Sequence, residues 1–238
     1  MAKLSIITIN FNDAAGLKKT MESVNNQIVC DFEHLIIDGG STDDSLKVIE
    51  ENKTNVTRWT SEPDEGIYDA QNKGISHAKG EYLLFLNAGD YLVDEFVLEN
   101  VYPHLAGEAL IYGDMQTCDD QGQIKHLKMH PKINKKVLFS DTIWHPSSFF
   151  KKAVFDRLGK YDLSYKIAAD YEFYCRIILS FRVPKKYIPI EISVFDTTGV
   201  SSDPNRKKEL IAERRRVQDT YMNPVLLFFF RLYSKLRN

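Results

Sequence analysis

An alternation of short aliphatic runs with single helical segments fills the first hundred residues, and it constrains the fold more than any other feature of the chain. Residues 4–10 (LSIITIN) are rich in β-branched side chains, and residues 14–27 space Leu17, Met21 and Val24 along one helix face. Residues 32–38 repeat the strand, 39–42 (GGST) the turn, and 45–52 the helix, with Leu46 and Ile49 expected inward. A short strand at 56–60 leads to a helix at 66–78 closed by Gly80, and 81–86 is a fourth strand. Strands separated by single helices need crossovers. The pattern therefore predicts an α/β fold, Rossmann-like, with a mixed, mainly parallel sheet flanked by helices.

The second half changes character. Segments 109–115 and 124–129, separated by Asp119, Asp120 and Gly122, predict a hairpin. A loop at 144–148, a helix at 170–181 and a strand at 186–195 follow, and then a basic helix at 206–221. From Arg206 onward nine basic residues face three acidic ones, although the whole chain carries a net charge of only −2. We therefore divide the chain into a domain at 1–205 and a C-terminal helical tail at 206–238. Its last stretch sets Leu226, Leu227, Phe228, Phe229, Phe230, Leu232, Tyr233 and Leu236 beside Arg231, Lys235 and Arg237. Such a helix suits an anionic membrane surface, or docking on its own domain or on a second subunit in a homodimer.

Several classes are excluded or disfavoured. The near-neutral charge gives no reason to expect nucleic acid. Three widely spaced cysteines, Cys30, Cys118 and Cys175, suggest neither disulfides nor a thiolate zinc site and point to a reducing compartment. The longest apolar run, residues 225–230, is six residues, far below a membrane span. With no export signal read at the N-terminus, the expected location is cytoplasmic, peripheral on the inner face of the membrane if the tail binds lipid.

Ligands of open parallel sheets sit beyond the carboxyl ends of the strands. The polar clusters fall at those ends: Asn10, Phe11, Asn12 and Asp13; Asp38 to Asp43; Glu62, Asp64, Glu65 and Gly66; Asn87, Gly89 and Asp90. Each alone reads as a turn or a cap. Four at one edge define a crevice. Rich in carboxylates and without a GxxxxGK[ST] or GxGxxG cradle, it accepts a diphosphate only together with a divalent cation. Asp90, after the strand YLLFLN, is the expected ligand, with Asn87 its neutral neighbour.

SIITINFN, DGGSTDDS, EPDEGIYDAQNKGI, GEYLLFLNAGD and AADYEFYCR, in this order over residues 3–200, resemble an inverting family 2 glycosyltransferase of the A-type (GT-A) fold, of the non-processive bacterial glycan-biosynthesis kind. The resemblance implies a hexosyl- or N-acetylhexosaminyl-transferase that takes a nucleotide-sugar donor, UDP-linked, and a glycan or lipid-linked acceptor. It implies that Phe11 stacks on the base, that Asp38 hydrogen-bonds it, that Asp90 holds Mg²⁺ or Mn²⁺, and that Asp170 is the general base. Asn10, Gly40, Asn72, Lys73 and Asn87 are the other expected donor residues; Asp64, Glu65 and His145 are expected at the acceptor or in the pocket. Two departures stand out. The metal motif is thinned to Asn87 and Asp90, and Gln71-Asn72 replaces a frequent Arg-Asn, with Lys73 as the substitute cation. The rival readings are a non-catalytic nucleotide- or glycan-binding relative and a sugar-1-phosphate nucleotidyltransferase, whose GxGxR-type opening is missing.

Overall fold

The computed structural model describes residues 2–197 and 204–237. The predicted alternation is present as β1 (Leu4–Asn10), α1 (Ala14–Asn25), β2 (Phe32–Asp38), α2 (Ser45–Asn52), β3 (Val56–Ser61), α3 (Ile67–His77) and β4 (Tyr82–Phe85). Strand β1 pairs in parallel with β2 and with β4, and β2 pairs in parallel with β3. All seven residues of β1 are buried, because both faces of a central parallel strand are covered by crossover helices. Ile7 and Ile9 enter one core with Ile75 of α3; Leu4 and Ile6 enter another with Tyr82 and Leu84. In α2, Ile49 is buried as expected, whereas Leu46 is exposed.

Beyond β4 come β5 (Tyr91–Leu92), α4 (Val97–Val101), β6 (Leu110–Cys118), β7 (Ile124–Leu127), α5 (Lys135–Ser140), β8 (Ser148–Lys151), α6 (Lys152–Leu158), α7 (Ala169–Cys175) and β9 (Lys185–Asp196). The predicted hairpin is β6 with β7. Strand β8, too short to stand out in the sequence, is the joint between the halves. It pairs antiparallel with β4 on one side and with β6 on the other, and β9 then adds parallel to β6. The sheet reads β3-β2-β1-β4-β8-β6-β9-β5.

Helices α8 (Lys207–Tyr221) and α9 (Pro224–Arg237) complete the chain. This C-terminal segment packs on the domain, one of the arrangements its sequence allows. Val217 of α8 is fully buried in the largest core, and Met222 and Leu227 join it. Arg214 lies over the ring of Tyr171 and Arg216 over that of Tyr165, at 4.5 and 3.6 Å. These cations are occupied within the protein. In α9, Phe230 stacks on Phe139 at 4.7 Å, while Val225, Leu226, Phe228, Phe229 and Leu232 remain exposed. The side chains of Tyr233, Lys235, Leu236 and Arg237 lie outside the described residues. Among the described residues no helix is long and apolar enough to cross a membrane.

Candidate functional site

The ends of β1, β2 and β3 are tied together by one carboxylate. Asp38, fully buried, accepts hydrogen bonds from Asn10 Nδ2 (2.7 Å), Ser41 Oγ (2.6 Å), the Ser41 and Gly40 backbone N–H groups (2.9 and 3.2 Å) and Ser61 Oγ (2.6 Å). Burial alone would raise its pKa; the donors outweigh that cost and hold it below the ordinary carboxylate value. This corrects the expectation that Asp38 reaches a nucleobase. Its oxygens are spent in fastening three strand ends, and Gly39 rather than Asp38 lines the cavity in front. Gly40, at φ +82°, makes the turn that returns the chain over this carboxylate and is not part of the lining.

That cavity has a volume of about 830 Å³. One wall carries Asn10, Phe11, Gly39 and Asp64. A Cβ on Gly39 would strike the Asp64 carboxylate and press on the Phe11 ring, so only glycine leaves the slot between them open. Phe11 is 64% exposed, an unusual position for a phenylalanine, and its face is available to a planar ring. Asp64 also accepts the Gly66 N–H at 2.8 Å in a tight turn, and Glu65 stands beside it on the lining.

The opposite wall is the loop after β4. Thr20 of α1 donates to the Asp90 carbonyl at 2.7 Å and accepts the Gly89 N–H at 3.1 Å, fixing the loop from beneath. Asn87 and Asp90 line the cavity, and Gln71 donates to Asn87 Oδ1 at 3.1 Å. Thus Gln71 orients Asn87. Asp90 is 3% exposed and accepts the backbone N–H of Asp196 at 3.1 Å. Burial, with the charge of Asp196 adding to it, pushes its carboxyl up to about 8 against the relief given by that N–H. Asp196 reaches this wall from the end of β9, a lining residue that local sequence does not reveal.

A divalent cation fits these residues. Two carboxylates with hard oxygen donors converge where the ionised form of one is costly, and a positive charge there removes the cost. Among the described residues no set of three His, Cys, Asp or Glu side chains forms a complete metal cluster.

Asp170 is placed differently. It sits in the first turn of α7, half-buried and outside the cavity lining, and Tyr68 Oη donates to its Oδ1 at 3.0 Å and lies 2.7 Å from the Ile167 carbonyl. Burial raises its pKa; the backbone N–H of Tyr171 and the Tyr68 hydroxyl oppose that rise. Tyr68 belongs to α3, next to Ile67 on the lining, so its hydroxyl links the carboxylate to the helix that borders the cavity.

Three other expectations are corrected. His145 is a core residue: its Nε2 meets Tyr161 Oη at 2.7 Å, its ring stacks on Phe85 at 4.7 Å, and burial lowers its pKa to about 3. Asn72 is consumed by a two-way bond with the Tyr161 backbone, at 2.9 and 3.0 Å. Lys73 turns away to the Pro63 carbonyl, Glu62 and Asp69. Among the described residues, the cations that do line the cavity are Lys166 and Arg206. No local motif marks them, because the fold brings them in from the loop before α7 and the approach to α8.

Residues 5–169 match the profile of Glycosyl transferase family 2. An uncharacterized glycosyltransferase of Mycobacterium tuberculosis is 33% identical over 227 residues, covering 92% of this chain and 84% of that protein. A PGL/p-HBAD biosynthesis glycosyltransferase of Mycobacterium bovis is 30% identical over 216 residues, covering 87% and 82%. Among solved structures, S. aureus TarS 1–349 in complex with UDP-GlcNAc gives a TM-score of 0.65 at 17% identity, over 82% of this chain and 58% of that one. The mannosyltransferase PcManGT from Pyrobaculum calidifontis, in complex with GDP-Man and Mn²⁺, gives 0.64 at 18% identity, over 90% and 60%. The chain thus spans about three fifths of the length of those two structures, which share its GT-A fold. It belongs to glycosyl transferase family 2 and is a glycosyltransferase.

Proposed function

We propose that this glycosyltransferase moves one sugar from a nucleotide-sugar donor, UDP-linked, to a glycan or lipid-linked acceptor with inversion at the anomeric carbon. The observation that carries the reading is the single cavity in which an exposed aromatic, a glycine-lined slot and two carboxylates, Asp90 and Asp196, come together at the strand ends. Phe11 stacks on the base. Gly39 and Asp64 shape the base and ribose slot, with Asn10 behind them. Asp90 and Asp196 would hold Mg²⁺ or Mn²⁺. When bound, that ion offsets the charge gathering on the departing diphosphate.

Asp170 takes the proton of the acceptor hydroxyl as its oxygen bonds to the sugar C1 and the C1–O bond to the diphosphate breaks. The pKa raised by burial makes it a better base than a solvated carboxylate, and Tyr68 holds the accepting oxygen in place. Lys166 and Arg206 supply positive charge on the acceptor side, where a phosphate-bearing acceptor is accommodated. We place the exposed apolar face of α9 on the anionic inner surface of the cell membrane, where lipid-linked acceptors are presented.

The test is a thermal-shift panel of UDP, GDP, dTDP and CMP, each with and without Mn²⁺. A ligand at about 100 times its dissociation constant adds about 2.7 kcal/mol of stability. Stabilisation by one diphosphate that requires Mn²⁺ supports the reading and identifies the base. Equal stability in every condition overturns it in favour of a non-catalytic relative.

A further inference from the structure

The loop that leads into α7 has three backbone N–H groups in succession with a single partner. Glu213, in the middle of α8, accepts from Lys166 N at 2.6 Å through Oε1, and from Ile167 N and Ala168 N, both at 2.9 Å, through Oε2. Asp170 follows two residues later. The same short segment offers the Ile167 carbonyl to Tyr68, whose hydroxyl also bonds Asp170, and it carries Lys166 into the cavity lining.

We propose that Glu213 is a positioning residue for the transfer reaction: its carboxylate, held on α8, sets the place of the 166–168 segment and through it the aim of Asp170. The proposal rests on the reading of Asp170 as general base. Its physical basis is that three charge-assisted bonds from one side chain fix adjacent peptide planes, and these planes begin the helix that bears the base. The anchor is itself rigid. Val217 is fully buried, Gln218 donates to the Phe139 carbonyl at 3.1 Å, Arg216 donates to the Ser164 carbonyl at 2.9 Å, and Tyr221 Oη donates to Glu172 at 2.5 Å. Helix α8 therefore stays docked when Glu213 alone is changed. A displacement of the base by about 1 Å costs on the order of a hundredfold in rate while leaving the donor site untouched.

The experiment measures nucleotide release by the full chain with Mn²⁺, water as acceptor, and whichever of UDP-glucose, UDP-galactose, UDP-GlcNAc and GDP-mannose the wild type turns over fastest. The variants are Glu213→Ala, Glu213→Gln, Asp170→Asn and the double variant with Glu213→Ala and Asp170→Asn. We expect Glu213→Ala to lower kcat at least tenfold with the donor KM within twofold. Glu213→Gln, which keeps one accepting oxygen, should recover part of that loss. The double variant should be no slower than Asp170→Asn, because a group that acts through Asp170 has nothing left to aim. Wild-type kcat in Glu213→Ala, a donor KM rising as kcat falls, or losses that multiply in the double variant would each overturn the proposal. If Glu213→Ala does not fold, Glu213→Gln is judged by the same criteria. Full turnover by Asp170→Asn would instead remove the base assignment on which the proposal rests.

Discussion

The two sides of the cavity are built by different rules. On the donor side, Asn10, Phe11, Gly39, Asn87 and Asp90 lie at or just beyond the ends of β1, β2 and β4, and parallel pairing alone delivers them to one edge. On the side proposed for the acceptor, Asp170 bonds to Tyr68, about a hundred residues earlier, and the segment leading into its helix bonds to Glu213, more than forty residues later. A parallel sheet converts chain position directly into site position, whereas the second side is assembled by packing.

The largest expected effect falls on the packed side. Asp170→Asn should lower turnover by about a thousandfold, within the range of general-base catalysis. Tyr68→Phe sharpens the point through pH. The Tyr68 hydroxyl favours the ionised carboxylate, so its loss raises the Asp170 pKa further, and the rising limb of the pH–rate profile should move to higher pH. A profile unchanged by Tyr68→Phe would contradict the coupling.

Acid stability asks whether the two sides are one cooperative unit. His34, under the donor side, and His145, under the acceptor side, are buried and neutral, with pKa values lowered to about 4 and about 3. The unfolded chain gains protons near pH 6.5 where the folded chain does not. These two groups should thus leave stability unchanged above about pH 6.5 and lower it below that toward about pH 4, by about 1.4 kcal/mol per pH unit for each group at most, while Asp90, its carboxyl pushed up to about 8, acts in the opposite sense, offsetting part of that loss and lowering stability as pH rises toward about 8. Denaturant titrations at about pH 7 and about pH 5 should show one transition that shifts; two transitions at the lower pH would divide the molecule along the cavity.

A smaller effect belongs to the donor wall. Phe11→Ala should weaken binding of the nucleotide by about 1–3 kcal/mol, the scale of base stacking on an aromatic ring, as measured by calorimetry. Smallest of all is Lys73→Ala. Its surface pairs with Glu62 and Asp69 are worth less than about 1 kcal/mol, and nucleotide affinity should not change.

The same division explains what is legible in the sequence. The first four strands, their helices and the polar clusters after them follow from hydrophobic period and turn chemistry, and Asp90 lines the cavity beyond the fourth strand. Asp38 is visible as a strand-end acid, but five donors converging from three strands cannot be read from DGGS alone. His145, Asn72 and Lys73 carry the right chemistry for a ligand, yet each is claimed by a partner distant in sequence or by a neighbouring carboxylate. Asp196, Lys166 and Arg206 sit in segments with no motif of their own. The basic composition of α8 suggests a surface for lipid, but it does not reveal that Arg214 and Arg216 lie over Tyr171 and Tyr165 and reach nearby carbonyls.

The most direct test of this division is a calorimetric titration of the stabilising nucleoside diphosphate with Mn²⁺ into Asp90→Ala and Asp170→Asn side by side. The account predicts that Asp90→Ala loses the Mn²⁺-dependent part of binding while Asp170→Asn binds within twofold of wild type. Retained Mn²⁺-dependent binding in Asp90→Ala, or its loss in Asp170→Asn, would contradict it.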